Sequence, residues 1–326
     1  MAKIIGRTGA LGIGIESTKG TPVAASYWIP VQGYSFDDKI ELVKNDSAMG
    51  QIFEFNDADI TKLWAEGDYD GKLFLNSLGA ELVALFGQSP SSAQRTTTGV
   101  YDHTYALLNS NDHKALTIGY NDAVQEISFP FGTIDSWSLE VAVDDYVKRT
   151  VSLISKKSAS ASHAPAFTNE IEFLPSHCSF KTATTAAGLG AASAINITSF
   201  KMDIKKNAEA IYNIGSNEPT DIMNKQFNVT GTVELYFEDV THRDIVMAGT
   251  HKAMRIRMTD ANTIIGTSGT HNPEFYIDLN DVVFDSYERG WSANDPLTQT
   301  LNFEGLYSIA DGAGISARLT NTVVSY

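Results

Sequence analysis

The chain spells out one pattern twice in the same order, and this constrains its fold more than any single motif does. Phe36, Ile40 and the pair Lys44-Asn45 recur as Phe200, Ile204 and Lys206-Asn207. The run Lys72-Leu73-Phe74-Leu75 recurs as Glu234-Leu235-Tyr236-Phe237, and the segments that follow close on Gly87 and Gly249. His113-Lys114-Ala115-Leu116-Thr117-Ile118 recurs as His251-Lys252-Ala253-Met254-Arg255-Ile256. Ile134-Asp135-Ser136-Trp137 recurs as Phe284-Asp285-Ser286-Tyr287, with Thr150 and Thr300 at equal spacing beyond. The offset runs from 162 at Lys72 and Glu234 to 138 at His113 and His251, then 150 at Trp137 and Tyr287, which one insertion in each copy explains. Collinear matches of this kind predict an internal duplication, and duplication in a β-rich chain predicts parts of a ring or an array.

Period-2 alternation dominates the rest of the sequence. Phe227, Val229, Val233, Leu235 and Phe237 fall on one side of a pleat, with Gln226, Asn228, Thr230, Thr232 and Glu234 on the other. Leu139, Val141 and Val143 alternate with Ser138, Glu140 and Ala142 in the same way. Strands with one apolar and one wet face belong to antiparallel sheets in sandwiches or barrels. Helix is confined to Leu78–Phe86 and 241–248, each about two turns and each followed by a glycine suited to the left-handed C′ position. Thr241 is a candidate N-cap. The fold class is therefore all-β with short helices, arranged as two tandem β-sandwich domains. The Ser/Ala-rich stretch at 157–166 sets the boundary, giving residues 1–157 and 158–326. The glycines at 9, 12 and 14 read as a flexible N-terminal arm.

The 326 residues suffice for two cores, and an apolar content of 43% is that of a globular protein. No apolar run approaches the roughly 20 residues a membrane-spanning helix needs. The opening Met-Ala-Lys-Ile-Ile-Gly has no apolar core of a signal peptide, so synthesis in a cytosol is expected. The single cysteine, Cys178, reads as a small buried residue. A net charge of −15 opposes a surface that grips nucleic acid, since phosphate binding needs clustered Lys and Arg. It does not oppose a surface past which DNA moves without sticking.

Motifs that carry chemistry are missing from the sequence. The seven histidines show no i, i+4 metal pair, and His113 and His251 occupy one position of the repeat, which points to structure rather than ligation. Asp68, Asp70 and Gly71 lack the spacing and terminal Glu of a calcium loop and read as a strand with a glycine bulge. The carboxylate pairs Asp144-Asp145 and Asp278 with Asp281 read as solvated strand ends. No catalytic, metal or cofactor residues are expected, and the chain is not expected to be an enzyme.

The segment Gly12-Ile13-Gly14-Ile15-Glu16-Ser17-Thr18-Lys19-Gly20-Thr21-Pro22-Val23-Ala24, followed by Trp28-Ile29-Pro30-Val31, resembles the opening of siphophage major tail proteins. The resemblance covers about 20 residues as motif and most of the chain as architecture; this chain departs in length, with two copies where single-copy tube proteins have one. It implies β-sandwich units whose inner sheets join around a ring into a barrel, with rings stacked through loops and a long hairpin. It further implies a virion protein assembled in the host cytoplasm, with no cofactor and no membrane insertion. The implied partners are copies of itself in a trimeric, pseudo-sixfold ring, the tape measure protein, tail terminator or baseplate proteins, and genomic DNA in transit. A carbohydrate-binding or adhesin module is the alternative, and an exposed cluster of Trp64, Trp137 and Trp291 would mark it. Trp137 matches Tyr287 in the repeat, which favours a core role.

Two residue sets follow as expectations. The polar turns at Asp46, Ser47, Met49 and Gly50, and at Asn207 and Glu209, are the expected inter-ring hairpin tips, together with the arm before Trp28; ordinary hairpins within one sheet are the competing reading. The wet strand faces at Asp37, Lys39 and Glu41, and at Asn228, Thr230, Thr232 and Glu234, are the expected lumen candidates, with the outer surface as the competing assignment.

Overall fold

A computed structural model describes residues 3, 5–96, 99–122, 124–267 and 271–326. The elements of the first half are β1 (Ala10–Ile15), β2 (Tyr27–Ile29), β3 (Gly33–Tyr34), β4 (Asp37–Asn45), β5 (Asp57–Lys72), α1 (Leu78–Phe86), β6 (Ser91–Gln94), β7 (Tyr101–Ala106), β8 (Leu116–Asn121), β9 (Glu126–Ala142) and β10 (Lys148–Ser155), and β11 (Ala159–Ser160) follows just past the boundary. The second half has β12 (Cys178–Ala183), β13 (Ala194–Ile195), β14 (Ser199–Lys205), β15 (Ala208–Ile211), β16 (Asp221–Asn224), β17 (Asn228–Tyr236), α2 (Thr241–Met247), β18 (Lys252–Thr259), β19 (Glu274–Gly290), β20 (Thr298–Leu306) and β21 (Ile315–Asn321).

The pairing is antiparallel throughout, and one ladder order occurs in both halves. In the first, β4 pairs with β5, β5 with β10, β10 with β9, β9 with β8, and β8 with β1. In the second, β14 pairs with β17, β17 with β20, β20 with β19, β19 with β18, and β18 with β12. Among the described residues three strand pairings cross between the halves: β9 with β14, β7 with β21, and the short β11 with the start of β9. An eight-stranded path therefore runs β4-β5-β10-β9-β14-β17-β20-β19, and within one chain it is an open sheet.

β9 and β19 are 17 residues each, longer than ordinary strands, because each serves two layers. The start of β9 pairs with β8 and its end with β10 and β14; the start of β19 pairs with β18 and β21 and its end with β20. Both carry a one-residue bulge at the recurring Asp-Ser step. Ile134 and Ser136 face Leu153 and Ser152, skipping Asp135, while Phe284 and Ser286 face Phe303 and Asn302, skipping Asp285. Between the layers lies a continuous apolar cluster that includes Phe36, Trp137, Leu139, Phe200, Met202, Ile204 and Phe303.

α1 is apolar on nearly every face and is buried along its whole length. Gly87 ends it with φ 85°, its N–H donating to Val83 O at 2.9 Å, and a Cβ there would fall 2.3 Å from the His113 ring. Two charged side chains in this core bond to each other: Arg149 Nε donates to both Glu81 carboxylate oxygens at 2.8 and 3.0 Å, and Trp137 Nε1 donates to Glu81 Oε2 at 3.3 Å. α2 is partly exposed. Its N-cap is Val240 rather than Thr241, because the Asp239 carboxylate takes the Thr241 N–H at 2.8 Å and fills the capping role from one residue further back.

Three local expectations are corrected. The glycines at 12 and 14 do not belong to a flexible arm: they lie in β1, a buried strand between β2 and β8. A Cβ at Gly12 would stand 3.0 Å from the Trp28 indole, so the glycine permits the close packing that buries β1. The Gly71 region is not bulged, since β5 and β10 pair without interruption from Lys72 to Ala65. Asn207 and Glu209 are not at a hairpin tip. Asn207, at φ 49°, turns a corner out of β14, and Glu209 sits inside β15 opposite Met223, ion-paired with Lys225. The reversal in this insertion falls at 212–220, between β15 and β16.

Candidate assembly interface

One face of the eight-stranded path is wet along its whole width. Register places Lys72, Lys148, Glu140, Lys201, Thr232, Asn302 and Ser286 in one row across seven strands. A second row runs Asp70, Thr150, Ser138, Asp203, Thr230 and Glu304. Hydrogen bonds tie the first row together: Thr232 Oγ1 donates to Asn302 Oδ1 at 2.8 Å, and Asn302 Nδ2 donates to Ser286 Oγ at 2.7 Å. The opposite face of the same strands supplies Leu139, Val151, Met202, Val233 and Phe303 to the core.

All seven residues expected from the wet alternation fall on this one face: Asp37, Lys39 and Glu41 on β4, and Asn228, Thr230, Thr232 and Glu234 on β17. The face carries Asp37, Glu41, Glu66, Asp68, Asp70, Glu140, Asp203, Glu234, Glu288 and Glu304 against Lys39, Lys62, Lys72, Lys148, Lys201 and Lys205. Carboxylates therefore outnumber lysines, and the face is acidic at neutral pH.

The seam between the halves has its own chemistry. Asp135 O accepts the Lys206 N–H, and Asp135 Oδ1 accepts the Ala208 N–H, each at 2.7 Å. The Lys206 side chain is buried and donates from Nζ to Ala84 O, near the end of α1, at 2.6 Å. Burial disfavours its charged form and lowers its pKa to about 7. Nearby His113 is pushed down to about 4, by burial first and then by the Lys206 charge. Burial likewise pushes the Cys178 thiol up to about 12, consistent with its half-buried, unreactive setting.

The β4–β5 hairpin projects from this sheet. Asp46, Ser47, Met49 and Gly50 sit at its exposed tip, where Asn45 Oδ1 accepts the Ser47 N–H at 3.0 Å and Asn56 Nδ2 donates to Ser47 O at 2.9 Å. The tip is not purely polar, contrary to expectation: Ile52 is 99% exposed and Phe53 83%.

The profile of the family described as phage tail tube protein matches residues 6–317. The chain belongs to the phage tail tube protein family. No curated protein sequence matches it. A structural role in the phage tail follows for this tail tube protein, as a component of the virion. Trp137 is buried on the core face of β9, Trp64 lies on β5, and only Trp291 is largely exposed, so the three tryptophans form no exposed cluster for a glycan. Among the described residues no group of His, Cys, Asp and Glu is arranged to hold a metal ion, and no helix is long and apolar enough to cross a membrane.

Sequence reasoning missed the two sheet edges. Among the described residues β4 has β5 on one side only, and the end of β19 has β20 on one side only. A signal for them was present in the matching Asp-Ser steps: Asp135 and Asp285 each sit at a one-residue bulge, yet among the described residues the strand beside the first is covered by β14 and the strand beside the second is bare.

Proposed function

We propose that this protein is the major tail tube subunit, a tandem duplication of one tube domain over residues 1–157 and 158–326. Three chains close a ring of pseudo-sixfold symmetry, and rings stack into the channel through which genomic DNA enters the host. The observation that carries this reading is the β9–β14 seam. A junction between the halves already exists within the chain, and the same two kinds of edge, left bare at the ends of the sheet, complete one another in a second copy. Closure removes edges that would otherwise recruit strands at random.

In that ring the acidic wet face lines the lumen, where low-dielectric walls focus its field and keep phosphate from adhering. The hairpin tip at Asp46, Ser47, Met49 and Gly50, with Ile52 and Phe53 beside it, reaches the next ring. Assembly takes place in the host cytoplasm, with tape measure, terminator or baseplate proteins at the ends of the tube.

Electron micrographs of the purified protein test this directly. Hollow tubes or rings are expected, and deletion of residues 47–54 should leave folded subunits that form no long tubes. A protein that stays monomeric at high concentration, or a deletion variant that elongates normally, contradicts the proposal.

A further inference from the structure

We infer that a cleft between β9 and β12, at the end of the sheet away from the β4–β5 hairpin, receives Phe53 from the hairpin tip of a copy in the adjacent ring. This rests on the stacking proposed above and names where the tip lands. The cleft, about 190 Å³ in volume, is lined by Val141 and Val143 at the end of β9, Pro175 and Phe180 around the start of β12, and Ile195 and Ile197 ahead of β14. Its remaining lining residues are uncharged. An apolar cavity of roughly 150 Å³ holds a benzene ring, so this cleft has room for a phenylalanine side chain.

Register puts tip and cleft at opposite ends of the sheet. β5 leaves the tip at Asp57 and ends at Lys72, which faces Lys148 of β10. Lys148 faces Glu140, and at that same end Ala142 faces Ser199, beside the cleft. The 16 residues of β5 therefore hold tip and cleft roughly 50 Å apart along the strand, so a tip does not reach the cleft of its own chain. A protrusion at one end that fits a recess at the other is a heterologous contact, and where it does not close on itself it repeats from copy to copy into a filament.

The two surfaces also match in chemistry. Charged residues make up 19% of the chain, yet the tip carries none from Ser47 to Phe53, and the cleft has none in its lining. Met49, Ile52 and Phe53 are exposed within that run, and Phe53 offers the largest apolar area to bury. The second half repeats this polarity. Ile214 is exposed in the reversal at 212–220, on the tip side, where the Leu63 N–H donates to Asn217 O at 2.7 Å. Trp291 is exposed just past Gly290, on the cleft side, where Gly290 and Tyr236 both face Thr298 and Glu234 faces Ser199. Exposed apolar side chains thus gather at the two ends that stacked copies bring together.

Photocrosslinking locates the tip. Tubes of the full chain with a diazirine-bearing phenylalanine at position 53 are irradiated, and chain-to-chain products are digested and mapped by mass spectrometry. Crosslinks to residues 141–143, 175–180 or 194–199 of a second chain are expected to outnumber those to any other segment at least tenfold. Products that map mainly to another segment of a second chain overturn the cleft while leaving the stacking hairpin in place. Products confined within one chain, in tubes of normal length, overturn the stacking hairpin as well, whereas absence of tubes from the unsubstituted protein is a failure of the ring. Val143→Asp gives a second readout without the probe. Val143 is 66% exposed, so the isolated subunit should keep its thermal midpoint, while a charge that docking would bury unpaired should shorten tubes at least tenfold. Phe53→Asp should do the same from the other side, and tubes of normal length from either variant contradict the docking.

Discussion

Asp135 Oδ1 accepts the backbone N–H of Ala208 at 2.7 Å, joining the bulge of a long strand in the first half to the corner that follows β14 in the second. Its backbone carbonyl accepts Lys206 N–H as well, so one residue closes the seam with two bonds. Asp135→Ala should lower stability by about 1–3 kcal/mol, the usual effect of leaving a partly buried donor without its charged acceptor, and Asp135→Asn, which keeps an acceptor, by less. Asp285→Ala should change the stability of the isolated subunit by no more than about 0.5 kcal/mol, as at other exposed positions. Urea denaturation of dilute subunits measures all three, and equal losses at Asp135 and Asp285 would count against the difference drawn between a filled seam and a bare one.

Glu81 and Arg149 are both fully buried and bond to each other, with Trp137 donating to the same carboxylate. Glu81→Ala leaves a guanidinium buried without its anion and should destabilise by about 3–5 kcal/mol. Glu81→Met with Arg149→Met replaces both charges and should be far milder, which thermal unfolding of the two variants will decide.

Lys206 supplies a pH signature. Its folded pKa, about 7, lies below its unfolded value, so the unfolded chain binds the proton more tightly and the folded state gains as pH rises. The contribution is smallest below pH 7, where the buried amine is charged, and grows toward pH 10. Relative to Lys206→Met, wild-type stability should climb by about 1.4 kcal/mol per pH unit over that window. Denaturation curves for both proteins at pH 7.0 and 9.5 provide the comparison, and a pH-independent difference would show that the amine is not confined as its burial implies.

How much of this was legible in the sequence depends on whether the cause was local. β17 was, because burial of Val229, Val233 and Leu235 against a core imposes period 2 directly on the chain. α1 was, because Gly87 marks its end by a conformation few other residues adopt. β1 was misread, since glycines signal freedom until the partner that needs the space, Trp28, is known to lie across the sheet. Asn207 was misread because a left-handed corner and a hairpin tip use the same turn residues, and only the pairing of β15 with β16 separates them. The wet-face residues were found, but their gathering on one sheet was not, because the β9–β14 seam that joins the two sets is a long-range pairing.

The acidic wet face predicts how DNA responds to it. Glu66→Lys with Glu234→Lys should leave tubes intact and slow genome ejection. Each new cation attracts phosphate by counterion release, and screening over a Debye length of about 8 Å leaves that attraction effective in a narrow channel. Ejection from variant particles at the normal rate would remove the electrostatic account of passage while leaving the tube untouched.

The central claim is that two halves of one chain occupy two of six equivalent places in a ring. Counting the chains in each ring of assembled tubes, by end-on imaging at a resolution that traces individual strands, tests it most directly. Three chains per ring, each contributing the eight strands from β4 to β19 with β4 set against the next chain's β19, is the predicted result. Six chains per ring, or rings in which β4 and the end of β19 both remain unpaired, would contradict it.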